Sequence, residues 1–285
     1  MSILAEENPK PWLGAITVTI AAGILYSLTA ARDIVVGDSP ELIMAAATLG
    51  VAHPPGYPLF TILGHVFSLM PLGSIPFRVN LLSVICDALA VGVVYSIAQR
   101  LTKSQLAAAV AALLLAVSPN FWEWSLAAEV FPLNNLLAAV LILLLVAWHE
   151  EPARRNLLIS AAFVFGLALT NHQTIGLFAP AICFLLWQHR AALIRQPKLI
   201  ALCVTAMVIG LLPYAYIPWA SSHHPVHNWG NVSSFQDLIG LVTRRNYGST
   251  RLVANVGYTG GPAWPRLLAL IVSVGAVSGL LIIIG

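Results

Sequence analysis

Two acidic residues and a histidine lie close together just after the first apolar segment of the sequence. Asp38-Ser39-Pro40-Glu41 contains two carboxylates three positions apart, and His53-Pro-Pro-Gly-Tyr57-Pro58 begins twelve residues after Glu41. A carboxylate can accept a proton from a hydroxyl nucleophile, and a histidine can handle protons near neutral pH. The first loop therefore predicts acid–base chemistry beside a membrane, with Asp38 as a candidate general base.

Both motifs also have a purely structural interpretation, which the sequence leaves open. Asp38 or Ser39 would serve as a helix N-cap, with Pro40 in the first turn and Glu41 as an early acid that the helix dipole favours. The proline-rich run would be a rigid turn at the membrane interface, because proline restricts the backbone and removes hydrogen-bond donors.

Further polar candidates are spread along the chain. Asp87 lies inside an apolar segment, where an acid is costly and is a functional candidate by default. Glu129 precedes another apolar segment, and Asn171-His172-Gln173 forms a polar reversal between two short ones. Arg244 and Arg245 suit bidentate phosphate binding. The alternatives are a buried polar contact for Asp87, a plain turn at 171–173 and a headgroup-binding patch for the arginines.

The composition predicts an integral membrane protein. Hydrophobic residues make up 59% of the chain and charged residues 9%, against about 25% charged in a typical soluble domain. The net charge of +3 is small, so nucleic acid is not expected as a partner. The three cysteines do not have the spacing of a metal site. The sequence leaves the need for a divalent metal unknown.

Hydropathy predicts eight membrane spans, the first of which is an uncleaved anchor. They cover 12–31, 79–101, 105–118, 130–148, 156–170, 174–188, 198–218 and 266–285. Segment 58–71 is short for a crossing. If it lies along the interface and the N-terminus is cytoplasmic, lysine and arginine collect on the cytoplasmic side, as the positive-inside rule requires.

This topology places the polar candidates on one face. Both termini are cytoplasmic, and the opposite, outer face carries the loops 32–77, 119–129, 171–173 and 219–265. The sequence thus predicts one transmembrane domain over 1–285, multi-pass in a bacterial inner membrane or an endoplasmic-reticulum-type membrane. Its active face would be extracytoplasmic.

The motifs resemble the GT-C superfamily of membrane glycosyltransferases. The closer resemblance is to a family catalogued as a domain of unknown function, which includes an animal endoplasmic-reticulum protein O-mannosyltransferase. The residues that support it run from about 33 to 250. They are Gly37-Asp-Ser-Pro-Glu-Leu42, Leu49-Gly-Val-Ala-His-Pro-Pro-Gly-Tyr-Pro58, Glu129-Val-Phe-Pro-Leu-Asn134, Leu169-Thr-Asn-His-Gln-Thr174, Asn228-Trp-Gly-Asn231 and Arg245-Asn-Tyr-Gly248.

The resemblance implies a fold and a reaction. The fold would be an all-α, GT-C-like multi-span helix bundle with interfacial helices in the first outer loop. The reaction would be an inverting transfer from a polyprenyl-phosphate sugar to a protein or glycan acceptor outside the cytoplasm, with no certain cofactor. The base would be Asp38, with Glu41 second. Members of the superfamily often have adjacent acids or an Asp-x-Asp pair, and they tend to be longer than this chain.

Residues expected to bind donor or acceptor complete the predicted site. They are His53, Tyr57, Asp87, Glu129, Asn171, His172, Arg244 and Arg245. Two rival functions remain. A transporter or flippase of lipid-linked precursors would predict inverted repeats, which the sequence lacks. A non-catalytic membrane scaffold would not account for the acids, histidines and arginines collected on one face.

Overall fold

A computed structural model describes residues 10–245 of the chain. This part is all-α, which confirms the predicted fold class. The chain divides into two compact units, Met1–Arg244 and Arg245–Gly285. The helices of the first unit are α1 (Pro11–Thr29), α2 (Ser39–Thr48), α3 (Pro58–Ser68), α4 (Ile75–Thr102), α5 (Gln105–Ala116), α6 (Pro119–Ser125), α7 (Val130–Glu150), α8 (Arg155–Leu169), α9 (Ala179–Gln188), α10 (Arg190–Ile194), α11 (Pro197–Gly210), α12 (Tyr216–Ser222) and α13 (Phe235–Val242).

Four helical segments of the described residues are long and apolar enough to cross a membrane. Two are Pro11–Thr29 and Ile75–Thr102, and two are Val130–Glu150 and Pro197–Ser222, the last of which joins α11, a 3-10 turn and α12. A fifth would be the pair α5 and α6, which is bent by 64°. The chain is therefore a multi-pass membrane protein.

Among residues 10–245 the structure has fewer long helices than the seven predicted spans that fall there. Segment 156–170 becomes the 15-residue α8, which is roughly 22 Å long against a hydrocarbon core of about 30 Å. Segment 174–188 is split, because its first turn, Gln173–Phe178, is a 3-10 helix before α9 begins. The predicted span 266–285 lies outside the described residues.

Small residues let the long helices approach closely. A side chain at Gly92 of α4 would meet the Thr19 hydroxyl of α1 at 1.9 Å, and one at Gly166 of α8 would meet the Met207 carbonyl of α11 at 2.1 Å. Close approach at small residues is the usual means of packing helices in a membrane. Glycine thus permits the close approach of α1 to α4 and of α8 to α11.

The first loop folds back on the bundle as two short helices. Leu49 adopts a left-handed conformation with φ of 51° and ends α2, and α3 starts after the proline-rich turn. Phe60 of α3 is fully buried, and Gly64 lies against Ala46 of α2. The prediction that 58–71 forms a short helix is confirmed, and its position along the interface stays a prediction.

The segment after α12 docks on this first loop. Val51 and Asn228 form an isolated parallel bridge, in which the Val51 N–H donates to the His227 carbonyl at 2.9 Å and the Trp229 N–H donates to the Val51 carbonyl at 3.0 Å. Gly50 permits this contact, because a side chain there would meet the His227 carbonyl oxygen at 2.3 Å. Residues far apart in the chain thus meet at one site.

Candidate functional site

Glu41 is the centre of the site, and two histidines hold its carboxylate. Its Oε2 accepts a hydrogen bond from His53 Nδ1 at 2.9 Å, and its Oε1 accepts from the His53 backbone N–H at 2.6 Å and from His227 Nε2 at 3.0 Å. Burial alone would raise the pKa of Glu41, but the hydrogen bonds and charge of His53, with the His227 hydrogen bond, lower it to about 2. Glu41 is therefore an ionised anchor with both oxygens occupied.

His53 connects this anchor to Asp38. Its Nε2 lies 3.1 Å from the Tyr57 hydroxyl and 3.8 Å from Asp38 Oδ2. Burial by itself lowers the pKa of His53, but the hydrogen bond and charge of Glu41, with the charge of Asp38, raise it above its ordinary value. We call Asp38, Glu41, His53, Tyr57 and His227 the acid–histidine cluster.

Asp38 precedes α2, but its side chain makes no capping hydrogen bond. Its side chain is 59% exposed, whereas that of Glu41 is 22% exposed. The geometry does not support the interpretation of Asp38 as a simple N-cap, because the carboxylate faces His53 rather than the first amides of the helix. Of the two acids, Asp38 has the carboxylate that is accessible to a substrate.

Glu129 reaches the same place from the start of α7. The backbone N–H of Asp38 donates to its carboxylate, and its own N–H donates to Ser83 Oγ of α4 at 3.3 Å. Burial, followed by the negative charge of Asp38, raises the pKa of Glu129 to about 7. Glu129 is thus a buried acid that can gain or lose a proton near neutral pH.

His172 borders the cluster through Tyr57. The two rings are stacked, with centroids 5.9 Å apart and planes 2° from parallel. Burial, followed by the charges of Arg244 and His53, lowers the pKa of His172 to about 4, so the ring is neutral at pH 7. Its Nδ1 lies 2.6 Å from the Thr174 hydroxyl and 3.3 Å from the Thr174 backbone N–H.

Arg244 is close enough for its charge to lower the pKa of both His53 and His172. It adopts a left-handed backbone conformation, with φ of 56°, just after α13. It supplies positive charge to the cluster from the second half of the chain. Arg245 is the first residue of the other unit, and its role stays a prediction.

Two predicted site residues have internal hydrogen-bond partners. Asp87 is fully buried in α4, where its carboxylate accepts from Ser125 Oγ at 2.9 Å and from Asn135 Nδ2 at 3.0 Å. The Asn171 amide donates to the Val130 carbonyl at 2.9 Å and fixes the 171–173 turn against the start of α7. The binding roles of Asp87 and Asn171 stay predictions.

His227 was not predicted as a site residue. It precedes Asn228-Trp-Gly-Asn231, one of the motifs that supported the resemblance, and this position was the signal that could have identified it. Its contact with Glu41 spans 186 positions of the chain, which no local pattern reveals. Among residues 10–245, no group of three or more potential ligands could hold a metal ion, and metal dependence stays open.

These features define an all-α, multi-pass membrane protein with an acid–histidine cluster where its first loop meets the segment after α12. Residues 38–195, more than half of the chain, match the family model described as the protein O-mannosyl-transferase TMEM260 N-terminal domain. The chain belongs to this family, as the motifs predict.

Two relatives show the extent of the similarity. The chain is 36% identical over 247 residues to the protein O-mannosyl-transferase TMEM260 of Mus musculus, which covers 84% of this chain and 35% of the mouse protein. It is 30% identical over 256 residues to the protein O-mannosyl-transferase tmem260 of Dictyostelium discoideum, which covers 84% of this chain and 31% of that protein. The chain therefore matches about a third of their length. No solved structure matches it.

Proposed function

We propose that this chain is the membrane part of a glycosyltransferase that moves a sugar from a polyprenyl-phosphate donor to a hydroxyl of a protein or glycan acceptor on the extracytoplasmic face. The names of the relatives favour mannose as the sugar and a protein as the acceptor. The observation that supports this most is the pair of acids in the first loop. Asp38 is accessible beside His53, while Glu41 is fully occupied by two histidines.

In this reaction Asp38 acts as the general base. The acceptor oxygen attacks the anomeric carbon as its proton passes to the Asp38 carboxylate, and the bond from that carbon to the phosphate oxygen breaks. The phosphate leaves with the electron pair, and the anomeric carbon is inverted. Glu41 acts through His53, because it holds the ring with Nε2 towards Asp38. It is a positioning residue.

The leaving phosphate needs compensating charge and hydrogen-bond donors. Arg244 supplies the positive charge, and neutral His172 can act as a hydrogen-bond donor rather than as a cation. The buried Glu129 adds a third acid beside Asp38 and Glu41, and its backbone N–H is held by Ser83 of α4.

A transfer assay with purified protein and a polyprenyl-phosphate mannose donor tests the proposal. Asp38→Asn should lower turnover by about 10²–10⁴-fold, the usual contribution of a general base, without loss of folded protein. Asp33→Asn is a matched control, because Asp33 is an exposed acid of the same loop whose carboxylate accepts only a local hydrogen bond from Ile34. Full turnover in Asp38→Asn would overturn the assignment.

A further inference from the structure

A cleft lies where α5, α6 and α7 meet, and its residue Phe131 contacts His172, which borders the acid–histidine cluster. The 64° bend between α5 and α6 turns the short α6 away from the axis of α5 and opens a space of about 370 Å³. Small-molecule sites typically occupy about 300–1,000 Å³. The cleft is lined by Ser118, Asn120, Phe121, Trp124, Phe131 and Asn135.

Hydrogen bonds to α1 and α4 fix the wall that α6 provides. Trp122 donates its indole N–H to the Thr29 hydroxyl of α1 at 3.0 Å, and Ser125 donates to Asp87 of α4 at 2.9 Å. Trp124, which lines the cleft, packs edge-on against Phe131, with ring centroids 5.0 Å apart. The cleft is thus formed by fixed elements of the bundle.

Asp87 also determines which atom Asn135 can offer to a ligand. The Asp87 Oδ1 accepts a hydrogen bond from the Asn135 Nδ2 amino group at 3.0 Å, which fixes the direction of the amide. The carbonyl oxygen of the same amide is left to act as an acceptor. Asp87 is therefore a positioning residue for this cleft, a role that the acid–base chemistry at Asp38 does not use.

The lining specifies the chemistry of the ligand. Among the described residues that line the cleft, none is charged, so the site does not suit a phosphate. Three aromatic rings offer apolar surface, while the amides of Asn120 and Asn135 and the hydroxyl of Ser118 offer hydrogen bonds. Apolar faces combined with a few placed polar groups suit a neutral, hydroxyl-rich ring.

The cleft adjoins the site through α7. Phe131 and Asn135 are four positions apart and share one helix face, and the ring of Phe131 also contacts His172, with centroids 5.3 Å apart. From this geometry we infer that the cleft binds a sugar ring of the substrate, with Asn135 as a hydrogen-bond acceptor aligned by Asp87. The inference rests on the proposed function, whose base lies elsewhere, at Asp38.

Saturation-transfer NMR of the protein in nanodiscs, with methyl α-mannoside as the probe, tests the inference without a transfer reaction. The wild-type protein should show saturation transfer to the ring protons. Asn135→Leu and Trp124→Leu should weaken binding by about 3–10-fold, the effect of losing one hydrogen bond or one contact surface. Trp219→Leu is the matched control, since Trp219 is half exposed in α12 and does not line the cleft.

Two further variants separate the possible outcomes. Asp87→Asn offers an amide in place of the carboxylate, which allows the Asn135 amide to turn round and should change the ring protons that receive saturation. Asp38→Asn should leave binding intact, so that loss of the proposed function and loss of the cleft are distinguishable. Three results would overturn the inference. The first is equal binding of the probe by Asn135→Leu, Trp124→Leu and wild type. The others are no saturation transfer in the wild type, and displacement of the probe only by alkyl chains.

Discussion

The residues of the site differ in charge at neutral pH because their surroundings differ. Glu41 has three hydrogen-bond donors around its carboxylate, while Glu129 is buried near a second acid. Hydrogen bonding to the charged form lowers a carboxyl pKa, and burial or a like charge raises it. Two glutamates in one site therefore remain in opposite protonation states over a range of pH.

Replacement of Glu129 by Gln should change stability in a pH-dependent way. The pKa of Glu129 is raised from 4.5 to about 7 on folding, so its stabilising contribution is present below pH 4.5 and is lost as the pH rises through 7. Glu129→Gln keeps the acceptor for the Asp38 N–H without the charge. The variant should be within about 1 kcal/mol of wild type near pH 5 and more stable than wild type at pH 8, by up to about 3 kcal/mol.

Thermal unfolding in detergent at the two pH values measures this difference. A variant with the same advantage over wild type at pH 5 and pH 8 would show that Glu129 does not titrate in this range. Ser83→Ala, which removes the hydrogen-bond partner of the Glu129 N–H, serves as a control for local packing without a change of charge.

Arg244→Ala should weaken binding of the lipid-linked donor. Its loss removes the positive charge that faces His53 and His172, so the pKa of both histidines should rise. We expect KM for the donor to rise about tenfold or more, since a charged hydrogen bond contributes about 1.5–3 kcal/mol. Donor titration and histidine NMR measure the two effects, and unchanged values in both would contradict the assignment.

At the scale of elements, two neighbouring loops form the site, and glycine permits their contact. The Val51 bridge brings His227 to Glu41, and it requires a residue without a side chain at position 50. Gly50→Ala should separate the two segments and raise hydrogen exchange over 223–233. Gly176→Ala is the matched control, because a side chain there has nothing within 4 Å. Equal exchange in the two variants would contradict this role of Gly50.

The helices were predictable where the sequence has a long apolar run. The helices α1, α4 and α7 match the predicted spans within a few residues, because each is a long apolar run with clear ends. The division of 174–188 was not predictable from hydropathy, since a 3-10 turn and an α-helix have the same apolar composition. The bend between α5 and α6 was missed because 119–129 was predicted as an outer loop, whereas its first residues form the short helix α6.

The residues of the site were only partly predictable for a related reason. Asp38, Glu41 and His53 were identified from local spacing, because an acidic motif and a histidine turn are visible in a short stretch of sequence. The separate roles of Asp38 and Glu41 depend on which of them meets His227, and tertiary contact alone determines that. Asp87 was predicted as a site residue because an acid inside an apolar segment is energetically costly. Its hydrogen-bond partner Asn135 was not predicted as a site residue.

At the scale of the molecule, the orientation in the membrane is a testable prediction. In a variant without Cys86, Cys183 and Cys203, new cysteines at positions 102 and 152 should react only with reagents that reach the cytoplasm, and one at 123 only with reagents applied outside. Arg100 and Glu150 form an ion pair that joins α4 and α7 near the first two positions. Labelling of 102 and 152 from outside would reverse the topology and place the site in the cytoplasm.

The contact between Glu41 and His227 has a consequence for biosynthesis. The helices α1–α11 precede His227 in the chain, so they can enter the membrane while Glu41 has only one of its two histidine partners. The site is completed when the segment after α12 arrives and closes on the first loop. Fragments 1–196 and 197–285, expressed together, should recover the site only if the second fragment retains His227. His227 is the last residue of the acid–histidine cluster that the ribosome supplies.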